Sequence, residues 1–274
     1  MPVWQRGVLM AAPMFAPLRE VIAQLGATFP TQAELNQLLV GRVDKVVVHS
    51  GHGLRFVPQQ TGKQGFEAQY EPRCYLSGEV QSRADNWHDL LNALVWLTFP
   101  KAKAAINTRH YLALLQRHDA ADGSQRGAVR DTNTLMDESG VIVACADPLL
   151  AQALRDFQWH ELFWQRRIDV QRHMGFYLFG HGLYEKALQP YVGLTGQGII
   201  LIVDTAFFSW TQARQLTHLD ERLAAYWADA ENCLSPRELS PVPLLGVPGW
   251  CADNEDPGYY DDTRYFRPGR RIAS

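Results

Sequence analysis

The chain has 274 residues, is 46% hydrophobic and 20% charged, and carries a net charge of −3. That balance excludes a disordered or fibrous chain and gives no overall electrostatic pull toward nucleic acid or an anionic membrane surface. No stretch reaches the roughly 18 apolar residues of a bilayer span. Four cysteines, at 74, 145, 233 and 251, form no C-x-x-C pair, which argues against a zinc ribbon and for reduced thiols in a cytoplasmic protein.

The apolar stretch from Gly7 to Pro17 is broken by prolines and reads as an extended lead-in to a helix over 16–25, stopped by Gly26. A second helix over 31–40 opens on a Thr31/Glu34 capping box. Between 43 and 83 the pattern predicts short strands at 46–48, 54–57, 66–70 and 75–77. Asn86 caps a helix over 87–97, and Pro100 opens another to about 116. A polar loop over 118–126 leads to a predicted hairpin, with strands 132–136 and 141–145 joined by the turn sequence Asp137-Glu-Ser-Gly140. Asp147-Pro148 starts a helix, residues 159–173 read as helix, and 174–188 are apolar with a weaker helical signal. Residues 199–204 form the clearest buried strand and 209–230 the longest helix candidate. Without βαβ alternation the expected fold is α+β, helix-rich, with short mixed or antiparallel strands. A single unit is expected over 1–274. Its proline- and glycine-rich stretch 241–274 should dock as a tail, where Trp250, Tyr259, Tyr260 and Phe266 would roof a pocket, or else as an ordered tail that only covers a sheet edge.

The helix over 86–97 is apolar on one face through Trp87, Leu90, Leu91, Leu94 and Leu97, yet its other face carries His88, Asp89 and Asn92 beside Val95 and Trp96. A solvated face would show Lys or Glu, so a polar cluster facing a pocket, or a structural hydrogen-bond cluster, is expected there. In the next helix Lys103, Asn107, His110 and Leu114 share a strip, making His110 a partner for His88 or Asp89 across a helical hairpin. Two histidines with one or two carboxylates would suit Zn, Mn or Fe; the ligand set expected is His88, Asp89, His110 and Asp131. Asp137 and Glu138 read as turn formers. His181, Tyr184 and Glu185 share a helical face as an acid–base set, or as a core histidine beside a surface Glu-Lys pair. Arg130 would hold an anionic group.

The adjacent His88-Asp89 resembles the pair in HD phosphohydrolases, which need a further upstream His and downstream Asp; His49 and His52 lie upstream, but in a Ser/Gly loop. More extensively, residues 86–100, Asn107-Thr-Arg-His110, Arg130-Asp131, Thr134 to Glu138, Gly180-His-Gly-Leu-Tyr-Glu-Lys186 and Leu245-Gly-Val-Pro-Gly-Trp250 resemble the bacterial family called domain of unknown function 3025. That resemblance implies a bacterial protein folded as one unit and assigns no catalytic residue. The residues themselves lead to two expectations. One is a metal-assisted hydrolase of a small polar or phosphorylated substrate, with His181 or Glu185 as acid or base. The other is a non-catalytic binding or regulatory module with a structural His/Asp/Asn cluster. A small-molecule ligand is expected, and neither nucleic acid nor membrane.

Overall fold

The computed structural model describes residues 3–62, 65–119 and 124–269. The order is α1 (Arg6–Ala11), α2 (Arg19–Ala23), α3 (Gln32–Val40), β1 (Arg55–Pro58), α4 (Tyr70–Ser77), β2 (Glu79–Ser82), α5 (Trp87–Thr98), α6 (Pro100–Asp119) and α7 (Ser124–Ser139). Then come β3 (Gly140–Cys145), α8 (Pro148–Arg155), α9 (Arg167–His173), β4 (Met174–Leu178), α10 (His181–Ala187), β5 (Thr195–Ile202), α11 (Gln212–Ala228) and β6 (Ser240–Pro243). The fold is α+β. Its larger sheet runs β4-β3-β5-β6, with β3 antiparallel to β4 and parallel to β5, and β5 antiparallel to β6. A parallel pair, β1-β2, stands apart.

β3 is buried along its whole length, as its unbroken Val-Ile-Val-Ala-Cys run requires of a strand covered on both faces. Around it one apolar cluster extends from Leu9 through Trp96, Phe163 and Trp227 to Phe266. α6 lies chiefly on α11, α7 and α4, while α5 packs on α10. α5 and α6 therefore do not run together as the expected helical hairpin.

Three local expectations are corrected. The predicted hairpin over 132–145 is instead a helix that runs into a strand, α7 passing to β3 at Ser139–Gly140 without a loop. Thr132, Asn133 and Met136 are buried at helical spacing, and β3 takes its partners from β4 and β5, far along the chain. The strands predicted at 66–70 and 75–77 are a 3-10 turn, Phe66–Ala68, and α4, which Gly78 ends at φ 69°. Over 174–188 the chain forms β4 and then α10, divided at Gly180. Of the polar loop placed at 118–126, residues 120–123 lie outside the described residues.

The segment after 240 begins as edge strand β6 and then follows the body. Asn254 donates to the carbonyls of Leu245 and Val247, both at 2.8 Å, and Tyr265 Oη to that of Leu194 at 2.8 Å. Trp159 Nε1 donates to Arg267 O at 2.8 Å. Among the described residues beyond 240, none lines either cavity of the site described next, so the expected roof over a pocket is not found there.

Candidate metal centre

Three helix ends meet beside the larger sheet. His88 is in the first turn of α5, Glu138 in the last turn of α7, and His181 is the first residue of α10. Asn86 sets the start of α5 by accepting the Asp89 amide at 3.0 Å. The position of α10 depends on Gly180, whose amide, with that of Phe179, donates to Gly140 O at 2.9 Å. A Cβ on Gly180 would strike the backbone nitrogens of Gly140 and Ser139. The absent side chain thus lets the start of α10 press against the α7–β3 junction and carries His181 to Glu138.

The Nε2 atoms of His88 and His181 are 3.0 Å apart. Glu138 Oε1 lies 3.5 Å from His181 Nε2 and 3.8 Å from His88 Nε2. On the far side of the His88 ring, Nδ1 is 2.9 Å from Glu185 Oε2. A carboxylate only accepts, so the His88 proton sits on Nδ1 and its Nε2 lone pair faces the cluster. His181 Nδ1 makes no hydrogen bond and faces Asp137 Oδ2 at 3.7 Å. Burial pushes His181 down to about 3, although Asp137 pulls the other way, so its ring is neutral at physiological pH. Asp137 forms a buried ion pair with Lys103. Burial opposes its charge, yet Lys103, His181 and His110 outweigh that and hold its carboxyl down to about 2. Burial raises Glu138 above the usual carboxylate range, with His88 partly offsetting it.

Two imidazole nitrogens and a carboxylate oxygen thus converge from three elements. Around a cation at about 2.1 Å from each, ligand atoms stand roughly 3.0 to 3.4 Å apart, close to what is found. Glu185 hydrogen-bonds the far side of the His88 ring, as carboxylates that orient metal-ligating histidines do, and Asp137 stands 3.7 Å behind His181. The cluster opens on a polar cavity of about 480 Å³ lined by Gln59, Gln60, Gln69, Gln81, Arg83 and Asn92, among others. A second, more apolar cavity of about 790 Å³ shares His88 and Glu138 with it.

The residues singled out from the sequence divide into two groups. His88, His181 and Glu185 are brought together. Asp89 lines the polar cavity, but Arg83 holds its carboxylate through the side chain and the backbone amide, at 2.7 to 2.8 Å. His110 is buried and does not line that cavity. It lies near Glu71, whose carboxyl burial raises with His110 partly offsetting it, and Glu71 accepts from Asn107. The strip Lys103, Asn107, His110 is thus buried: Lys103 pairs with Asp137 of α7 with its ammonium over the Trp96 ring of α5, and Asn107 bonds Glu71 of α4. Arg130 and Asp131 are exposed and line neither cavity; Asp131 sits seven residues before Glu138, about 10 Å along the helix. Tyr184 turns away from the cluster to donate to Leu178 O at 2.8 Å. Glu138 and Asp137 are what the sequence reading missed. The signal for them was the helical spacing of Thr132, Asn133 and Met136.

The family model for proteins of unknown function, DUF3025, matches residues 54–270. The chain belongs to this family. The matched region contains all three converging residues and both carboxylates behind them. Neither the curated proteins nor the solved structures searched include a match. Among the described residues no helix is long and apolar enough to cross a membrane.

Proposed function

We propose that His88, His181 and Glu138 hold one divalent cation and that the protein is a metal-dependent hydrolase acting on a carbonyl substrate in the polar cavity. The observation that carries this reading is the convergence of two imidazole nitrogens and a carboxylate oxygen within 4.8 Å of one another at the mouth of a cavity. Without a shared proton or cation, two facing lone pairs and a carboxylate repel one another. Three protein ligands would leave a coordination position for water, and a bound cation would supply Lewis-acid activation of that water toward a substrate carbonyl. Net hydrolysis adds the water's hydroxyl to the carbonyl carbon, breaks the C–N or C–O bond and leaves the remaining proton on the departing nitrogen or oxygen. Relative to the ligand set expected from sequence, Glu138 and His181 take the places of Asp89, His110 and Asp131, and His181 is a ligand rather than the acid or base.

Zn, Mn and Fe all suit two imidazoles and a carboxylate. Four unbridged thiols agree with a cytoplasmic location. The test is metal content after incubation with Zn²⁺ and gel filtration. Wild type, His110→Ala and Asp131→Ala should hold one equivalent, whereas His181→Ala and Glu138→Gln should lose it. Full occupancy in His181→Ala would sink the assignment. The second reading, a non-catalytic binding module, draws on the fact that His88 already has Glu185 and His181 as partners; wild type that takes up no metal would favour it.

A further inference from the structure

Two cavities of opposite character meet at His88 and Glu138. The polar one is walled by the amides of Gln59, Gln60, Gln69 and Gln81, and its cation, Arg83, is held by both oxygens of Asp89. Such a wall suits hydroxyls and amides and, among the described residues, leaves no unpaired cation there for a phosphate. The other is lined by Val3, Val8, Phe15, Trp87 and Tyr191, among others. Val3, Val8 and Tyr191 are 68%, 58% and 52% exposed, so three of the chain's large exposed hydrophobic residues gather at one groove. An apolar patch kept in water beside a polar pocket marks a binding surface.

We propose that the substrate is an amide or ester joining a neutral, hydroxyl- or amide-rich head to a hydrocarbon acyl chain. This rests on the hydrolase reading above. The head lies among the glutamines, the acyl chain in the groove beside Val8 and Tyr191, and the scissile carbonyl over His88 and Glu138. Water is consumed, the C–N or C–O bond breaks, and the products are a fatty carboxylate and a free amine or alcohol.

The acyl-chain subsite can be tested without the metal. On metal-free full-length protein, octyl glucoside should bind one to one and at least about 30-fold more tightly than methyl glucoside. Val8→Asp and Tyr191→Ala, both at exposed positions where folding is spared, should each weaken octyl glucoside by about tenfold. On zinc-loaded protein octanohydroxamic acid should outcompete acetohydroxamic acid by a similar factor. Val8→Asp should erase that difference while zinc content and acetohydroxamic acid affinity hold. Equal affinity for the two glucosides, or no effect of Val8→Asp, overturns the proposal. So does a change from dimer to monomer in Val8→Asp, which would assign the groove to a second copy of the chain. Octyl glucoside binding intact in protein that takes up no zinc would support the acyl-chain subsite and remove the hydrolase reading alone.

Discussion

Lys103 and Asp137 form a buried ion pair whose partners answer to different neighbours. The Lys103 side chain is 3% exposed and Asp137 14%, and Asp137 also faces His181. Taking two charges out of water is costly, and removing one leaves the other uncompensated. Lys103→Met should therefore destabilise the protein by about 3 kcal/mol, read from urea unfolding midpoints. Lys103→Met combined with Asp137→Asn should recover part of that loss, because no lone charge remains. Equal stability of Lys103→Met and wild type would mean that the pair is not buried as described. Asn133 adds a related oddity: its side chain is fully buried, and neither amide atom has a partner among the described residues. Such groups cost free energy unless water or a ligand satisfies them, and we have no account of what this asparagine does.

The glycines of α10 act through the elements they separate. A Cβ on Gly182 would fall chiefly on Glu138 Oε2, the movable end of a side chain, with the Glu138 carbonyl at 3.1 Å, whereas on Gly180 it would fall on backbone atoms within 2.6 Å that cannot yield. Gly180→Ala should therefore destabilise by about 1–3 kcal/mol, as overpacking does. Gly182→Ala should fold with nearly unchanged stability but hold less Zn²⁺, since Glu138 must move aside. Thermal unfolding together with metal content distinguishes the two, and full metal content in Gly182→Ala would count against Glu138 as a ligand. The same junction explains how much of the site could be read from sequence. His88 stood out because a helix face that should be charged carries His, Asp and Asn, and Thr31 with Glu34 gave the start of α3 correctly through local hydrogen bonds. Asp137-Glu-Ser-Gly140 was misread because glycine follows helix ends as readily as it forms turns, while Asp and Glu at a helix C-terminus run against the helix dipole and point to a turn. What decides between them is where β3 finds its neighbours, residues 174–178 and 197–202, and no local pattern encodes that pairing. The buried strip Lys103, Asn107, His110 was legible as a strip. The helix it faces was not, because the direction of α6 is set by its packing on α11.

At the scale of the whole molecule, α11 is fastened to the start of α6 by Asp220, which accepts the amides of Lys101 and Ala102 at 3.1 and 2.8 Å. Burial outweighs those bonds and raises its carboxyl from the ordinary 3.8 to about 6. The folded state therefore binds this proton more tightly than the unfolded chain. Its contribution to stability is complete below about pH 4 and is lost as pH rises through about 6, a span of about 2–3 kcal/mol. Asp220→Asn removes the titration, so urea midpoints of wild type should fall relative to the variant across that window. Parallel curves would refute it.

The three converging residues sit at positions 88, 138 and 181, on segments that share no hairpin and no continuous helix. An ion held by all three would act as a clasp, available only to a chain whose distant parts have already found one another. Heat resistance should then follow the free concentration of that ion. A chelator should lower the unfolding temperature of wild type while leaving that of His181→Ala where it was.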